Sequence, residues 1–275
     1  MSDSPQDNFL TAAAYQQLPV VPPDAHIPYG PAEAQFIDLY LAAGSGLHPV
    51  IVLLHGGCWR LEYGAKPLGV LCQALVEQGW AVCNVDYRRA GNGGDWPNSF
   101  RDVSAAVDLL PQLAADYPLD LGQVITMGHS AGGLLALWLA ARSNLPENSE
   151  LYRVNPQPVQ AVIALAGIAN LHHAVAQEMC LDGLAVVMGG LPADVPERYQ
   201  QGSPHELLPL GIPHYHIVGD ADPKILANTQ TFISAAQQAG DKPQLFIAAQ
   251  SSHFEVVIPQ TPAWAIICDL LQKLR

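Results

Sequence analysis

The segment Gly128-His129-Ser130-Ala131-Gly132 sets a serine between two glycines, directly after the strand-like run VITM and directly before the apolar pattern GLLALWLAA. A sharp turn from strand to helix lifts such a serine above the sheet, with its hydroxyl free to react. Small flanking residues let strand and helix approach closely. The pattern alone arises by chance in roughly one chain in ten of this length. Its weight comes from the strand before it and the helix after it.

A serine hydroxyl is a poor nucleophile until a base takes its proton, and a histidine oriented by a carboxylate does this well. His253, in FIAAQSSHFEVV, follows the last strand-like run and is the candidate base. His214 and His216 alternate along a strand and read as buried. His172 and His173 lie in an irregular segment and read as structural or pocket-lining, and His26, His48 and His205 have no supporting context. The carboxylate is sought in HIVGDADPKIL, where two aspartates follow a strand. Asp222, just before Pro223 and a helix start, is preferred over Asp220, which reads as a turn or helix cap. The chain order is then Ser130, Asp222, His253.

A tetrahedral intermediate also needs hydrogen-bond donors for its oxyanion, and losing one costs about 3 kcal/mol. The run Leu53-Leu54-His55-Gly56-Gly57-Cys58-Trp59 ends a strand in two glycines that can turn N–H groups toward a ligand. The N–H groups of Gly57, Cys58 and Ala131 are the candidate oxyanion hole. His55 is read as holding this loop. Cys58 is read as lining the pocket, since Ser130 already has the partners of a nucleophile. Trp59 and His129 are the candidate substrate-binding residues, with packing under the loop the competing reading for Trp59.

The elements that must position these groups alternate. Strand patterns fall at 35–41, 50–54, 80–85, 124–127, 159–165, 214–218 and 244–247, and helical patterns at 67–78, 103–110, 131–141, 223–239 and 262–274. Pro111 disturbs the third-to-fourth-residue spacing after residue 110. Alternation of this kind implies an α/β fold with a mostly parallel sheet and helices on both faces. Ligands then bind outside the carboxyl ends of the strands, where every candidate above is found. Residues 1–34, rich in proline and alanine, read as an irregular N-terminal arm, and 35–275 as a single domain. Within it, 170–208 reads as a small or minimal cap for a modest pocket. Asp86-Tyr87-Arg88, at a strand end, reads as structural or as an ion pair at the pocket rim.

About half the residues are apolar (49%) and only 13% are charged, so a sizeable core is expected. A net charge of −13 disfavours nucleic acid and anionic membrane as partners. No apolar run reaches the roughly 18 residues of a membrane helix, and MSDSPQDNFL lacks the features of a secretory signal, so a cytoplasmic protein is expected. The five cysteines show no metal-ligand spacing and read as mostly buried, reduced thiols.

Taken in order, HGGCW, GHSAGG, GDADP and SSHF resemble the α/β-hydrolase superfamily. HGGCW in particular is similar to the HGGxW loop of esterases and kynurenine formamidases related to hormone-sensitive lipase. The resemblance covers about residues 35–275. It implies an α/β-hydrolase fold, Ser130 as nucleophile with Asp222 and His253, and the HGG loop as oxyanion hole. Cys58 stands where formamidases often carry an aromatic residue. The expected activity is a carboxylesterase acting on a small or medium ester through an acyl-enzyme, with activity falling on the acid side as His253 takes a proton. A kynurenine formamidase and a non-catalytic binding module are the alternatives. A nucleotide-binding oxidoreductase is disfavoured, because AGNGGDW lacks the GxGxxG spacing. No cofactor and no metal is expected. The expected partner is a small-molecule ester or formamide, and a homodimer is left open.

Overall fold

Five consecutive apolar residues, 50–54, call for a strand covered on both faces, and they lie at the centre of the sheet. The computed structural model describes residues 9–275. Its strands are β1 (Ala25–Pro28), β2 (Phe36–Tyr40), β3 (His48–Leu54), β4 (Ala81–Val85), β5 (Leu119–His129), β6 (Ala161–Leu165), β7 (His214–Gly219) and β8 (Gln244–Ala248). They form one sheet in the order β1-β2-β4-β3-β5-β6-β7-β8. The β1–β2 and β2–β4 pairs are antiparallel and the rest parallel. This mixed, mostly parallel sheet with its helices is the α/β-hydrolase fold that the motifs imply.

The helices are α1 (Ala12–Gln16), α2 (Gly69–Glu77), α3 (Asn98–Asp108), α4 (Leu110–Leu113), α5 (Ala131–Ala141), α6 (Leu171–Ala176), α7 (Leu181–Met188), α8 (Pro196–Gly202), α9 (Pro223–Gln238) and α10 (Pro262–Lys273). Proline opens α8, α9 and α10, where its missing N–H costs nothing. Of α5 only Ala140 escapes full burial, which is why its sequence is apolar all round rather than on one face. It packs on β5, β6 and β3. The helical pattern expected to falter at Pro111 divides into α3 and α4 there.

The segment expected as an irregular arm departs from that reading. Past residues 1–8, which lie outside the described residues, it supplies α1 and the edge strand β1. Thr11 caps α1 by accepting the Ala14 N–H at 3.2 Å. In β1, half-buried and exposed residues alternate, as on an edge strand with one covered face. Its composition hides it, because an edge strand needs few apolar residues and tolerates the proline at its end. Segment 170–208 is also more ordered than its weak periodicity implies, forming α6, α7 and α8. Asn170 caps α6, its Oδ1 accepting the His173 N–H at 3.1 Å. No described helix is long and apolar enough to cross a membrane.

Candidate functional site

β5 ends at His129, and α5 begins at Ala131, leaving Ser130 alone in the turn at φ 55° and ψ −116°. This left-handed conformation is strained for a serine. Three glycines make room for it. A Cβ on Gly128 would lie 2.1 Å from the Gly132 carbonyl oxygen, and one on Gly132 would lie 2.2 Å from that of Leu54. One on Gly133 would lie 2.5 Å from the Gly167 Cα. The turn is therefore fixed by backbone packed on backbone. The Ser130 N–H donates to the Leu165 carbonyl at 3.0 Å, and the Ser130 carbonyl accepts from Ile168 at 3.1 Å.

The loop after β3 reaches the same point. Gly57, Cys58 and Trp59 have φ of 106°, 52° and 54°. Among the described residues, the N–H groups of Gly57 and Cys58 donate to no protein acceptor. That of Ala131, in the first turn of α5, has no partner within its own helix. His55 holds the loop from below. Its Nδ1–H donates to the Gly56 carbonyl at 2.7 Å, its ring stacks on Tyr87 at 4.3 Å, and its own carbonyl accepts the Tyr87 hydroxyl at 2.7 Å. Arg89 Nη1 reaches His55 Nε2 at 3.2 Å and pairs with the buried Asp86. Burial opposes the Asp86 charge, but His55 and Arg89 outweigh it and hold the carboxyl below its ordinary range. Arg88 instead forms a bidentate pair with Asp102, at 2.8 and 2.7 Å. The Asp86-Tyr87-Arg88 run is thus a structural base under the loop.

Asp222 and His253 arrive from the far side of the sheet. The Nδ1 of His253 and Oδ2 of Asp222 are 2.6 Å apart, so Nδ1–H donates to the carboxylate and Nε2 is left without a proton. Asp220, expected as a turn or helix cap, instead ties a neighbouring loop. Its two oxygens accept the N–H groups of Gln250 and Ser251 at 3.0 and 3.1 Å, which fixes the loop before His253. The hydrogen bonds from Ser251 and Gln250 lower its pKa. Glu255 closes the loop by accepting from Ser252, and also accepts the N–H of Leu10 from the N-terminal segment.

Ser130 and His253 line one cavity of about 90 Å³, together with Gly57, Cys58 and His129. The Ser130–His253 hydrogen bond is not formed among the described residues, a contact that often tightens only when substrate binds. A larger cavity of about 580 Å³ is also lined by Tyr63, and contains neither Ser130 nor His253.

Three expectations about this site need correcting. Trp59 is buried and does not line the cavity; it packs under the loop. Cys58 and Cys180 are not reduced thiols but a disulfide, with their Cα atoms 5.0 Å apart. With a sequence separation of 122, only the fold could reveal the pairing. Cys72 and Cys83 are free and buried, and Cys268 is free and half-buried. Finally, no residue of 170–208 lines the cavity. Its walls are Tyr15 from α1, Arg60 and Tyr63 from the loop after β3, and Phe254 beside His253. Phe254 could have been found in SSHF. Tyr15 carried no signal in its own segment.

His129 lines the cavity as expected, and it does more. Its Nε2–H donates to the His253 carbonyl at 2.8 Å, and its Nδ1 is buried without a partner. Burial, and then the neighbouring His253, push its pKa down to about 3, so it is neutral at any working pH. His214 and His216 are buried in β7 with ring nitrogens 3.1 Å apart. Neither lies in the cavity.

The BD-FAE family model matches residues 37–235, which contain Ser130 and Asp222. The chain belongs to the BD-FAE family. It is 29% identical over 224 residues to esterase LipQ of Mycobacterium tuberculosis, covering 78% of this chain and 52% of LipQ. It is 26% identical over 147 residues to the kynurenine formamidase of Salmo salar, covering 53% of this chain and 46% of that protein. The chain spans about half the length of the curated relatives it matches. Among solved structures, esterase B from Lactobacillus rhamnosis superposes with a TM-score of 0.76 at 22% identity, covering 95% of this chain and 89% of that one. A truncated carbohydrate esterase from gut microbiota gives 0.77 at 19% identity, covering 90% and 94%. At these identities the two structures speak to the fold.

Proposed function

We propose that this BD-FAE member is a serine hydrolase that cleaves short-chain carboxylic esters through an acyl-enzyme. One observation carries the reading. A histidine bonded to a carboxylate at 2.6 Å, a serine in a strained turn and unpaired backbone N–H groups all converge on one small cavity. In this reading, His253 Nε2 takes the Ser130 proton as Oγ attacks the ester carbonyl. Asp222 stabilises the imidazolium that forms. The oxyanion is held by the N–H groups of Gly57, Cys58 and Ala131. His253 then protonates the departing alcohol and activates water for deacylation.

The cavity volume supports a short acyl group. About 90 Å³ is far below the roughly 300 Å³ at which pockets begin to enclose drug-sized ligands. Tyr15, Tyr63 and Phe254 give its walls aromatic surface that suits a carbon chain, with Arg60 the one cation among them. The name of LipQ agrees with an ester substrate. The likeness to a kynurenine formamidase keeps an aryl formamide as the second reading, and the aromatic walls could stack on such a ring.

The test is kcat/KM on p-nitrophenyl acetate and on N-formylkynurenine, measured side by side. The ester should turn over faster, and Ser130→Ala should lose at least about 10⁴-fold on it. A preference for the formamide would replace the ester reading with the second one. Ester turnover that survives in Ser130→Ala would overturn both. Stoichiometric labelling of Ser130 by an organophosphate would exclude a non-catalytic binding module.

A further inference from the structure

The oxyanion loop is tied on its outer side by a covalent bond to a segment that never touches the cavity. Cys58, whose N–H is one of the proposed oxyanion donors, is joined to Cys180 at the start of α7. Both residues have left-handed backbones, at φ 52° and 55°, a conformation that a cysteine adopts only under constraint. Trp59, next in the loop, is left-handed as well. Three consecutive positive-φ residues, two of them with side chains, must be held by their surroundings.

Those surroundings are asymmetric. From below, His55, Tyr87 and the Asp86–Arg89 pair fix the loop as far as Gly56. Beyond it, Arg60 donates to the Gly57 carbonyl at 2.9 Å, closing the turn that contains Cys58 and Trp59, and Ala90 donates to the Trp59 carbonyl at 3.0 Å. At Cys58 itself the contact comes from α7. A Cβ on Gly183 would lie 1.9 Å from the Cys58 carbonyl oxygen, so the helix backbone presses directly on the peptide that follows the donor. The surface pair Arg60–Asp182, 3.9 Å apart and largely exposed, adds little. The disulfide is the one covalent tie from 170–208 to the loop.

We propose that Cys180 is a positioning residue for the oxyanion hole, and that the enzyme is fully active only with the Cys58–Cys180 disulfide formed. The proposal rests on the ester-hydrolase reading above. Both cysteines are half-buried, and Cys58 lines the cavity, so a small dithiol can reach the bond. A thiolate of the dithiol attacks one sulfur and forms a mixed disulfide. Its second thiol then displaces the protein sulfur. The products are the Cys58 and Cys180 thiols and the cyclic oxidised dithiol, a transfer of two electrons and two protons. The freed loop can then leave its left-handed conformation, and the N–H of Cys58 turns away from the oxyanion.

The experiment uses the full chain and dithiothreitol. Mass spectrometry of unreduced peptides should contain the Cys58–Cys180 link, and thiols titrated after denaturation should rise on reduction from the three of Cys72, Cys83 and Cys268 to five. On p-nitrophenyl acetate, reduction should lower kcat about tenfold, a fraction of the effect of deleting an oxyanion donor outright. KM should stay within about twofold, because the ground-state carbonyl uses these donors little. Reoxidation should restore kcat. Cys180→Ser should match the reduced enzyme and no longer respond to the dithiol. A reduced enzyme with unchanged kcat and a lower Tm would make the bond merely structural and overturn the proposal, with the ester-hydrolase reading intact. An oxidised protein without the linked peptide would overturn it too. Should Cys180→Ser fail to fold, the reversible reduction of the wild-type protein still decides.

Discussion

Ser130 and the loop from 55 to 58 sit where glycines let backbone meet backbone, whereas the loops of Asp222 and His253, which also meet main chain to main chain at Gly219, are tied in addition by side-chain hydrogen bonds. Around Ser130, Gly128, Gly132 and Gly133 each have main-chain atoms within 2.5 Å of where a Cβ would be. Around His253, Asp220, Glu255 and His129 each accept or donate one or two bonds to the 250–253 backbone. Steric fit is all-or-none, because a packed backbone has nowhere to move. Hydrogen bonds to a partly exposed loop are graded, because water can replace some of them. The two halves should therefore fail differently: damage to the first costs the fold, and damage to the second costs the rate.

The largest effect tests the second half. Asp222→Asn should leave the turn intact but lose about 10⁴-fold in kcat/KM, some 5 kcal/mol of transition-state stabilisation, by misplacing the proton on His253. Its Tm should stay within about 2 °C of wild type. Next comes Gly132→Ala, whose methyl would meet the Leu54 and His55 carbonyls at 2.2 and 2.3 Å. It should cost about 3 kcal/mol or more of stability, a Tm loss of roughly 5–10 °C or failure to accumulate as soluble protein. Thermal melts of the two variants together decide the matter. An Asp222→Asn that melts like Gly132→Ala would break the comparison.

The same contrast explains which parts were legible before the structure. A backbone-fixed turn demands glycines at set positions, so GHSAGG and HGGCW announce themselves and place Ser130, Gly57 and Ala131. The parallel strands could be read because burial on both faces forces apolar runs such as 50–54. The pairing of His253 with Asp222 was legible by position, each lying just after a strand. The side chains that tie them carry no pattern, since Asp220, Glu255 and His129 are polar residues whose partners are set by the fold. Long-range pairing was least legible of all. Cys58 meets Cys180 across 122 residues, and Tyr15 reaches the cavity from a proline-rich stretch read as irregular. Segment 170–208, read as the cap, instead braces the loop after β3.

A smaller effect lies in pH. His129 bridges the two halves, and His216 sits in β7; both are fully buried and pushed down to about 3 from an ordinary value of 6.5. For His129 burial leads and His253 adds; for His216 burial leads and His214 adds. The unfolded chain therefore binds protons that the folded one refuses, and stability falls as pH drops from 6.5 towards 3. At about pH 5 each histidine should have cost about 2 kcal/mol relative to neutral pH. Melts across this range should show Tm falling, with a shallower slope in His216→Gln. A flat Tm from about pH 7 to pH 5 would mean that these rings are charged, or solvated, in the folded protein.

The smallest effect sharpens the comparison most. Asp220→Asn removes one acceptor and turns an amide N–H₂ toward a backbone N–H at 250 or 251. Because Asp220 is largely open to solvent, water can take over the lost bond, and Tm should move by no more than about 2 °C. His253 is two residues further on, so a looser loop should slow the reaction by about three- to tenfold, an order of magnitude given by one ordinary hydrogen bond. The pH profile separates this from a direct catalytic role. The Asp220 pKa is lowered from 3.8 by the N–H groups it accepts, so its contribution is complete above that value and is lost only as pH falls further. The ratio of wild-type to Asp220→Asn rates should then be constant across the neutral range. A ratio that changes through the acid limb of the rate profile, or a loss as large as that of Asp222→Asn, would place Asp220 in the proton-transfer chain rather than beneath it.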